Sequence, residues 1–143
     1  MADFTVTASA VIPTKGASTT VTKICGASAI TQGKTVAINA SDGTAILYIA
    51  TTSPATSNGV CIGVSVSSAS PGQPLVIDTA DQTFTHGLAT PTIGTPIFAA
   101  GDNAGAMCPA ADLVATWFPT LMGYSISSTQ MTLNPTNGPT AHA

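Results

Sequence analysis

The sequence predicts an all-β fold, and three observations support the prediction. Apolar and small residues alternate along most of the chain, a pattern typical of strands with one face against a core. Ten prolines and thirteen glycines are spread through the sequence and leave no room for a long helix. The polar residues are mostly threonine, serine, glycine and asparagine, which suit strands and turns.

The first elements are short strands joined by turn signals. FTVTASAVI (4–12) alternates apolar with small residues over its first half, and TTVTKI (19–24) does so with β-branched residues. KTVAINA (34–40) and TAILYIA (44–50) flank an Asp-Gly turn. The last two segments therefore predict a β-hairpin.

The middle of the chain continues in the same way. GVCIGVSVSS (59–68) and PLVIDTA (74–80) are predicted strands, and SPGQP (70–74) places a Pro-Gly pair suited to a type II turn between them. The one helical candidate is AADLVATWF (110–118), where Asp112 is expected to cap a single turn.

An internal repeat divides the body of the chain into two modules, about residues 30–78 and 91–134. GKTVAI (33–38) matches GTPIFA (94–99), and an Asp/Gly-rich turn follows each. We expect two related sheets that close into a small barrel or sandwich. They form one β domain, residues 25–134, between an N-terminal arm, 1–24, and a flexible tail, 135–143.

Each module ends in a strand that alternates large apolar with small residues. The apolar residues are expected to face the core: Ile62, Val64, Val66, Met122, Tyr124 and Ile126. The small residues should form flat faces that meet solvent or let another backbone approach. Since such a face occurs twice, we predict that it packs against other subunits: Gly63, Ser65, Ser67, Gly123, Ser125 and Ser127.

Charge is scarce in this chain. It has three lysines, six aspartates and no arginine or glutamate, far below the roughly one-quarter charged content of an average domain. A weakly charged surface favours association, and the cores of lasting interfaces are depleted in charge. Because every lysine lies among the first 34 residues, a basic patch for nucleic acid is not expected over the body.

The sequence also bears on the cellular compartment of the protein. No apolar run approaches the roughly 18 residues of a membrane helix, and no basic segment followed by an apolar one opens the chain. We therefore predict neither membrane insertion nor secretion. Three widely spaced cysteines favour reduced, buried thiols in a cytoplasm.

Few residues are suited to catalysis or ligand binding. A nucleophilic site would have to combine the following groups: Cys61 or Cys108, His86, and Asp78 or Asp81. No local motif supports that combination, so a small hydrolase is the weaker hypothesis and we predict no enzyme. Metal-ligand spacings are missing, and GDNAG (101–105) is explained by turn formation, so neither metal nor cofactor is expected.

Several short motifs carry a family resemblance. They are the "IGV" and "MGY" strands, a "PLVI" strand, the hairpin "GTPIF … AGDNAGAM" and the closing "MGYSISSTQMTLNP", all within about residues 30–134. Together they resemble the small decoration (cement) proteins on the heads of tailed bacteriophages. The resemblance implies a β-tulip or small β-barrel, made in the host cytoplasm and bound as a homotrimer to the major capsid protein on the outer surface of the virion.

The resemblance also implies that an N-terminal arm reaches the capsid protein and adds a strand to its sheet. Residues 2–24 lie outside the repeat, and we expect the β domain to fold without them. The arm residues expected at the capsid are Phe4, Val6, Val11, Ile12, Lys15 and Lys23.

A head-fibre or adhesin module that binds host glycans is the alternative. It would need an exposed aromatic or polar groove, for which Trp117 and Tyr124 are the candidates. Trp117 and Phe118 are adjacent, so on a strand they would face opposite ways and one would be exposed.

Overall fold

The computed structural model describes residues 3–14, 18–89 and 91–142. Within these residues the secondary structure consists of strands and two single-turn 3₁₀ helices, so the all-β prediction is confirmed. The helices are Ser57–Gly59 and Ala110–Asp112. The strands are β1 (Val6–Ile12), β2 (Thr19–Ile24), β3 (Thr35–Ile38), β4 (Ala45–Leu47), β5 (Cys61–Ser65), β6 (Pro74–Leu88), β7 (Pro96–Ala99), β8 (Met107–Pro109), β9 (Thr120–Tyr124), β10 (Gln130–Leu133) and β11 (Thr136–Asn137).

These strands form two antiparallel sheets. In the larger one the order is β1-β6-β5-β3-β4, with β2 and β10 also paired to β6; in the smaller one it is β11-β9-β7-β8. The 15-residue strand β6 pairs with β2 and β5 along its first half and with β1 and β10 along its second. β6 therefore joins the two modules, because β10 belongs to the second one.

The two modules share their strand pairing and register. Module 1 (30–78) pairs β3 with β4 and β5, and module 2 (91–134) pairs β7 with β8 and β9. Gly63 lies opposite Val36 in the first, and Gly123 lies opposite Ile97 in the second, with a register irregularity next to each pair. The sequence repeat thus corresponds to a repeated arrangement of strands.

Gly63 and Gly123 allow a close approach of backbone inside each module. A Cβ on Gly63 would overlap the carbonyl oxygen of Asp78, and one on Gly123 would overlap that of Thr132. Both neighbours belong to the same chain, on β6 and β10. These glycines are therefore used within the modules, and the prediction that they form a subunit-packing face is wrong for them.

The serines of the same strands are also used inside the chain. Ser65 and Ser125 are buried, and each accepts a backbone hydrogen bond from the turn glycine of its module, Gly33 or Gly94, at 2.8 and 2.7 Å. Ser67 Oγ accepts from Val76 N–H, and Ser127 Oγ accepts from Gln130 N–H, both at 3.0 Å. Because these groups already have intramolecular partners, the prediction of a serine packing face is corrected.

The main core lies between the two modules, β1 and the second half of β6. Val64, Phe84, Ile97 and Met122 are fully buried there. A smaller cluster on the other side of module 1 contains Cys25, Ile30, Val36, Leu75 and Ile77. Each sheet face of module 1 therefore packs against apolar side chains, which stabilise it at about 25 cal/mol per Å² of buried apolar surface.

Turn predictions are confirmed in the first module and corrected in the second. Gly43 and Gly72 adopt positive φ angles of 73° and 83° in the predicted hairpin and Pro-Gly turn. Asp112, however, is the last residue of its 3₁₀ helix, and Pro109 occupies the N-cap position without a side-chain hydrogen bond. The extended conformation of Pro109 fixes the start of the turn, so Asp112 cannot cap it.

The C-terminal residues are held by hydrogen bonds, which contradicts the flexible tail expected from their polar composition. β11 pairs with β9, and the Asn137 side chain accepts from Cys61 N–H and donates to Cys61 C=O. His142 N–H donates to Trp117 C=O at 2.6 Å. These contacts satisfy backbone groups of the domain that would otherwise be unpaired.

Candidate interaction surfaces

The N-terminal segment lies along β6. β1 and β2 both pair antiparallel with β6: Ile12 lies opposite Thr85, and β2 runs from Thr19 opposite Ala80 to Ile24 opposite Pro74. Pairing satisfies the backbone groups and buries apolar side chains that a free arm would leave in water. The expectation of an extended N-terminal arm is therefore wrong for this structure.

The predicted arm contacts divide into buried and exposed residues. Phe4 and Val6 are partly buried against the main core, and Val11 is 1% exposed within it. Ile12, 56% exposed, and Lys23 remain accessible, while Lys15 lies outside the described residues. Removal of residues 2–24 would open the main core at Val11, so the β domain is no longer expected to fold without them.

β2 is an exposed edge strand. All of its residues except Val21 are exposed, and among the described strands it pairs only with β6. It is rich in threonine and β-branched residues, which favour extended backbone. Exposed edges of this kind present unpaired N–H and C=O groups to other chains.

The hydrogen bonds of β6 determine which backbone groups of β2 are free. The Val76 N–H donates to Ser67 Oγ, and the Val76 C=O accepts from Val66 N–H. Both backbone groups of Val76 therefore point to the side of β6 on which β5 and the residues after it lie, away from β2. Thr22 lies opposite Val76. In an antiparallel ladder this makes them a non-hydrogen-bonded pair, so Thr22 directs both backbone groups away from β6, and so does Ile24 two residues later.

A second exposed surface lies on module 2. Ile93, Tyr124 and Ile126 are 64%, 48% and 42% exposed, and Gly94 lies beside them because its N–H bonds to Ser125 C=O. We call Ile93, Gly94, Tyr124 and Ile126 the module-2 outer face. An irregularity between Leu121 and Gly123 places Met122 in the main core and turns Tyr124 outward, so the prediction that Tyr124 and Ile126 face the core is wrong.

The thiols and the imidazole considered for catalysis are all buried. Burial raises the pKa of the Cys61 and Cys108 thiols to about 12, so both remain protonated and weakly nucleophilic near neutral pH. His86 Nδ1 accepts from Leu88 N–H at 2.8 Å, and burial lowers the pKa of its imidazole. Within the described residues no hydrogen bond links His86 to either thiol.

Asp78 and Asp81 form a buried carboxyl pair on β6. Burial, followed by the charge of Asp81, raises the pKa of Asp78 to about 7. Burial also acts to raise the pKa of Asp81, but hydrogen bonds from Thr14 and Thr83 N–H, at 2.6 and 3.0 Å, outweigh it and the pKa is lowered. At mildly acidic pH, Asp78 is therefore the protonated partner of an ionised Asp81.

The described residues contain no cluster of three or more His, Cys, Asp or Glu side chains placed to hold a metal ion. Neither 3₁₀ helix in that part of the chain is long or apolar enough to cross a membrane. Trp117 is only 6% exposed and packs against Gly101, so it is not available as a glycan platform. Of the two candidate aromatics only Tyr124 is exposed.

Comparison with known proteins finds no matching family model, no similar curated protein and no similar solved structure. Function is therefore argued from the two exposed surfaces, the β2 edge and the module-2 outer face. Sequence periodicity did not identify the second, because a bulge places Met122 and Tyr124 on opposite faces of β9 and only the Met122 face packs in the main core.

Proposed function

We propose that this protein is a non-catalytic structural component that decorates the outside of a bacteriophage head, binding the major capsid protein as a homotrimer. The exposed β2 edge is the observation that carries the proposal. Its outward N–H and C=O groups match the needs of strand addition, in which backbone hydrogen bonds provide affinity and few special side chains are required.

Two further features support a binding role. The chain carries only nine charged side chains, so its surface tolerates close packing against neighbours without much desolvation of ions. The titratable groups that catalysis would need are buried, and Nδ1 of His86 is occupied by the Leu88 N–H. Three copies tied in one trimer bind a lattice as a multivalent unit, which multiplies the effective affinity of each modest contact.

Thr22→Pro should abolish attachment to phage heads while the protein stays folded. Proline removes the Thr22 N–H, which has no ladder partner among the described residues, and edge strands tolerate proline where the N–H faces outward. Cosedimentation of the purified variant with heads lacking the protein measures attachment, and thermal unfolding measures stability. Copy number per head tests whether attachment occurs in multiples of three.

Two control variants separate the loss of the outward N–H from a loss of stability. Thr22→Val keeps the N–H and should attach like the wild type, whereas Val21→Pro removes a hydrogen bond to β6 and should lower the melting temperature. If Thr22→Pro decorates heads as fully as the wild type, the β2 edge is not the capsid contact. Failure of the wild type itself to attach to any heads would reject the decoration role.

A further inference from the structure

The module-2 outer face is the open counterpart of a face that is covered in module 1. By register, Tyr124 and Ile126 correspond to Val64 and Val66, and Gly94 corresponds to Gly33. The same surface can therefore be compared in a module where it is covered and in a module where it is exposed.

In module 1 the corresponding face is covered by β1 and the main core. A Cβ on Gly33 would lie 2.6 Å from Val6 Cγ1 and 2.9 Å from Val11 Cγ2. Val64 is fully buried, and Val66 packs against the main core. β1 is held there by a hydrogen bond from Gln32 Nε2 to Val11 C=O. This face is thus complementary to an extended, uncharged segment with β-branched side chains.

In module 2 the same positions are uncovered. A Cβ on Gly94 would have no heavy atom within 4 Å, in contrast to Gly33, although both glycines adopt similar φ angles of 82° and 90°. Tyr124 and Ile126 are almost half exposed where Val64 and Val66 are buried or half-buried. The backbone that receives β1 in module 1 is therefore present in module 2 without an occupant among residues 3–14, 18–89 and 91–142.

The surroundings of this face define the chemistry of its occupant. No charged residue lies between Thr92 and Pro96 or between Leu121 and Gln130, so an uncharged partner would lose no ion hydration on binding.

From this comparison we infer that the module-2 outer face binds an extended, uncharged segment of a partner protein that carries small β-branched residues in the pattern of β1. The segment crosses Gly94 and packs on Tyr124 and Ile126, as Val6 and Val11 cross Gly33. This contact is separate from the β2 edge, and its test requires no phage particle, so its failure would leave the proposed function untouched.

The probe is an uncharged synthetic peptide that contains β1, residues 4–14 with blocked termini, because that segment already fits the corresponding face. Fluorescence anisotropy of the labelled peptide, titrated with the full-length protein, should show saturable binding. Ile126→Asp should weaken it at least about tenfold, since a buried isoleucine contributes more than the roughly 1.4 kcal/mol that a factor of ten represents. Val114→Asp alters another exposed apolar residue and should bind the peptide like the wild type.

A peptide that carries both Val6→Asp and Val11→Asp should bind neither the wild-type protein nor the Ile126→Asp variant. Absence of peptide binding to the wild type would overturn the inference, as would binding that Ile126→Asp leaves unchanged, because the peptide would then occupy module 1 or another site. Sedimentation velocity of the protein alone tests whether a second copy covers this face. Self-association that Ile126→Asp removes would mean that a second copy covers this face, and the partner segment would be rejected.

Discussion

Gly123→Ala is expected to destabilise the protein by roughly 4 kcal/mol or more. The new Cβ would overlap the carbonyl oxygen of Thr132, a backbone atom of β10 that cannot rotate away. The φ angle of 154° at Gly123 adds strain for any residue with a side chain. Relief would require β9 and β10 to separate.

Chemical denaturation of the variant measures this loss as a lower midpoint at unchanged slope. A loss of that size also corresponds to a melting temperature lowered by roughly 10 °C. Gly63→Ala should behave in the same way, because its Cβ would meet the carbonyl oxygen of Asp78 at the corresponding place in module 1. Equal losses at the two sites would support the structural equivalence of the modules.

Gly72→Ala is the matched control. It also adds a methyl group at positive φ, 83°, but has no atom within 4 Å of the new Cβ. Only the conformational penalty remains, about 1 kcal/mol. If Gly123→Ala costs no more than Gly72→Ala, then β9 does not approach β10 as closely as described here.

The second large effect concerns pH. Asp78→Asn is expected to raise the free energy of unfolding above pH 7 by on the order of a few kcal/mol relative to the wild type. An unfolded aspartate has a pKa of 3.8, whereas the folded pKa of Asp78 is about 7. Each pH unit between these values changes stability by about 1.4 kcal/mol.

The sign follows from the direction of each shift. Because the folded pKa of Asp78 is raised, its contribution is fully present below pH 3.8 and is lost as pH rises to about 7. Asp81, whose pKa is lowered, contributes stability above 3.8 that is lost as the solution becomes more acidic. The pair therefore favours a stability maximum near pH 4.

Asparagine at position 78 keeps the shape of the protonated acid and carries no charge at any pH in this range. The variant should consequently lose most of the decline in stability between pH 4 and pH 8. Urea denaturation at several pH values measures both profiles. Asp42→Asn changes an exposed carboxyl and should keep the wild-type profile. A wild-type stability that does not fall over this range would contradict the assignment of the proton to Asp78.

The repeat and the local turns were predictable because they depend on neighbouring residues. Gly43 and Gly72 occupy turns whose backbone only glycine adopts easily, so sequence signals and structure agree there. The Gly-x-Ser strands likewise occupy matching registers in both modules. The purpose of their small residues was not predictable, since an intramolecular neighbour and a second subunit require the same absence of side-chain bulk.

The candidate surfaces were harder to predict for related reasons. Val11 and Ile12 are adjacent apolar residues, yet one is in the core and the other is exposed. Residues 1–24 are equally suited to a free arm and to a strand, and the availability of β6 decides between them. Asp78 and Asp81 are ordinary acids in sequence. Burial raises the pKa of Asp78, and the hydrogen bonds from Thr14 and Thr83 lower that of Asp81, so only the tertiary structure separates the two values.

By itself the sequence determined that this protein is all-β, poor in charge and internally repeated, because alternation, turn residues and composition act locally or additively. Tertiary structure alone decided that β1 covers one module and leaves the matching face of the other open. The physical reason is that burial depends on which distant strand arrives at a surface, and a repeat gives both surfaces the same local pattern whether or not one is covered.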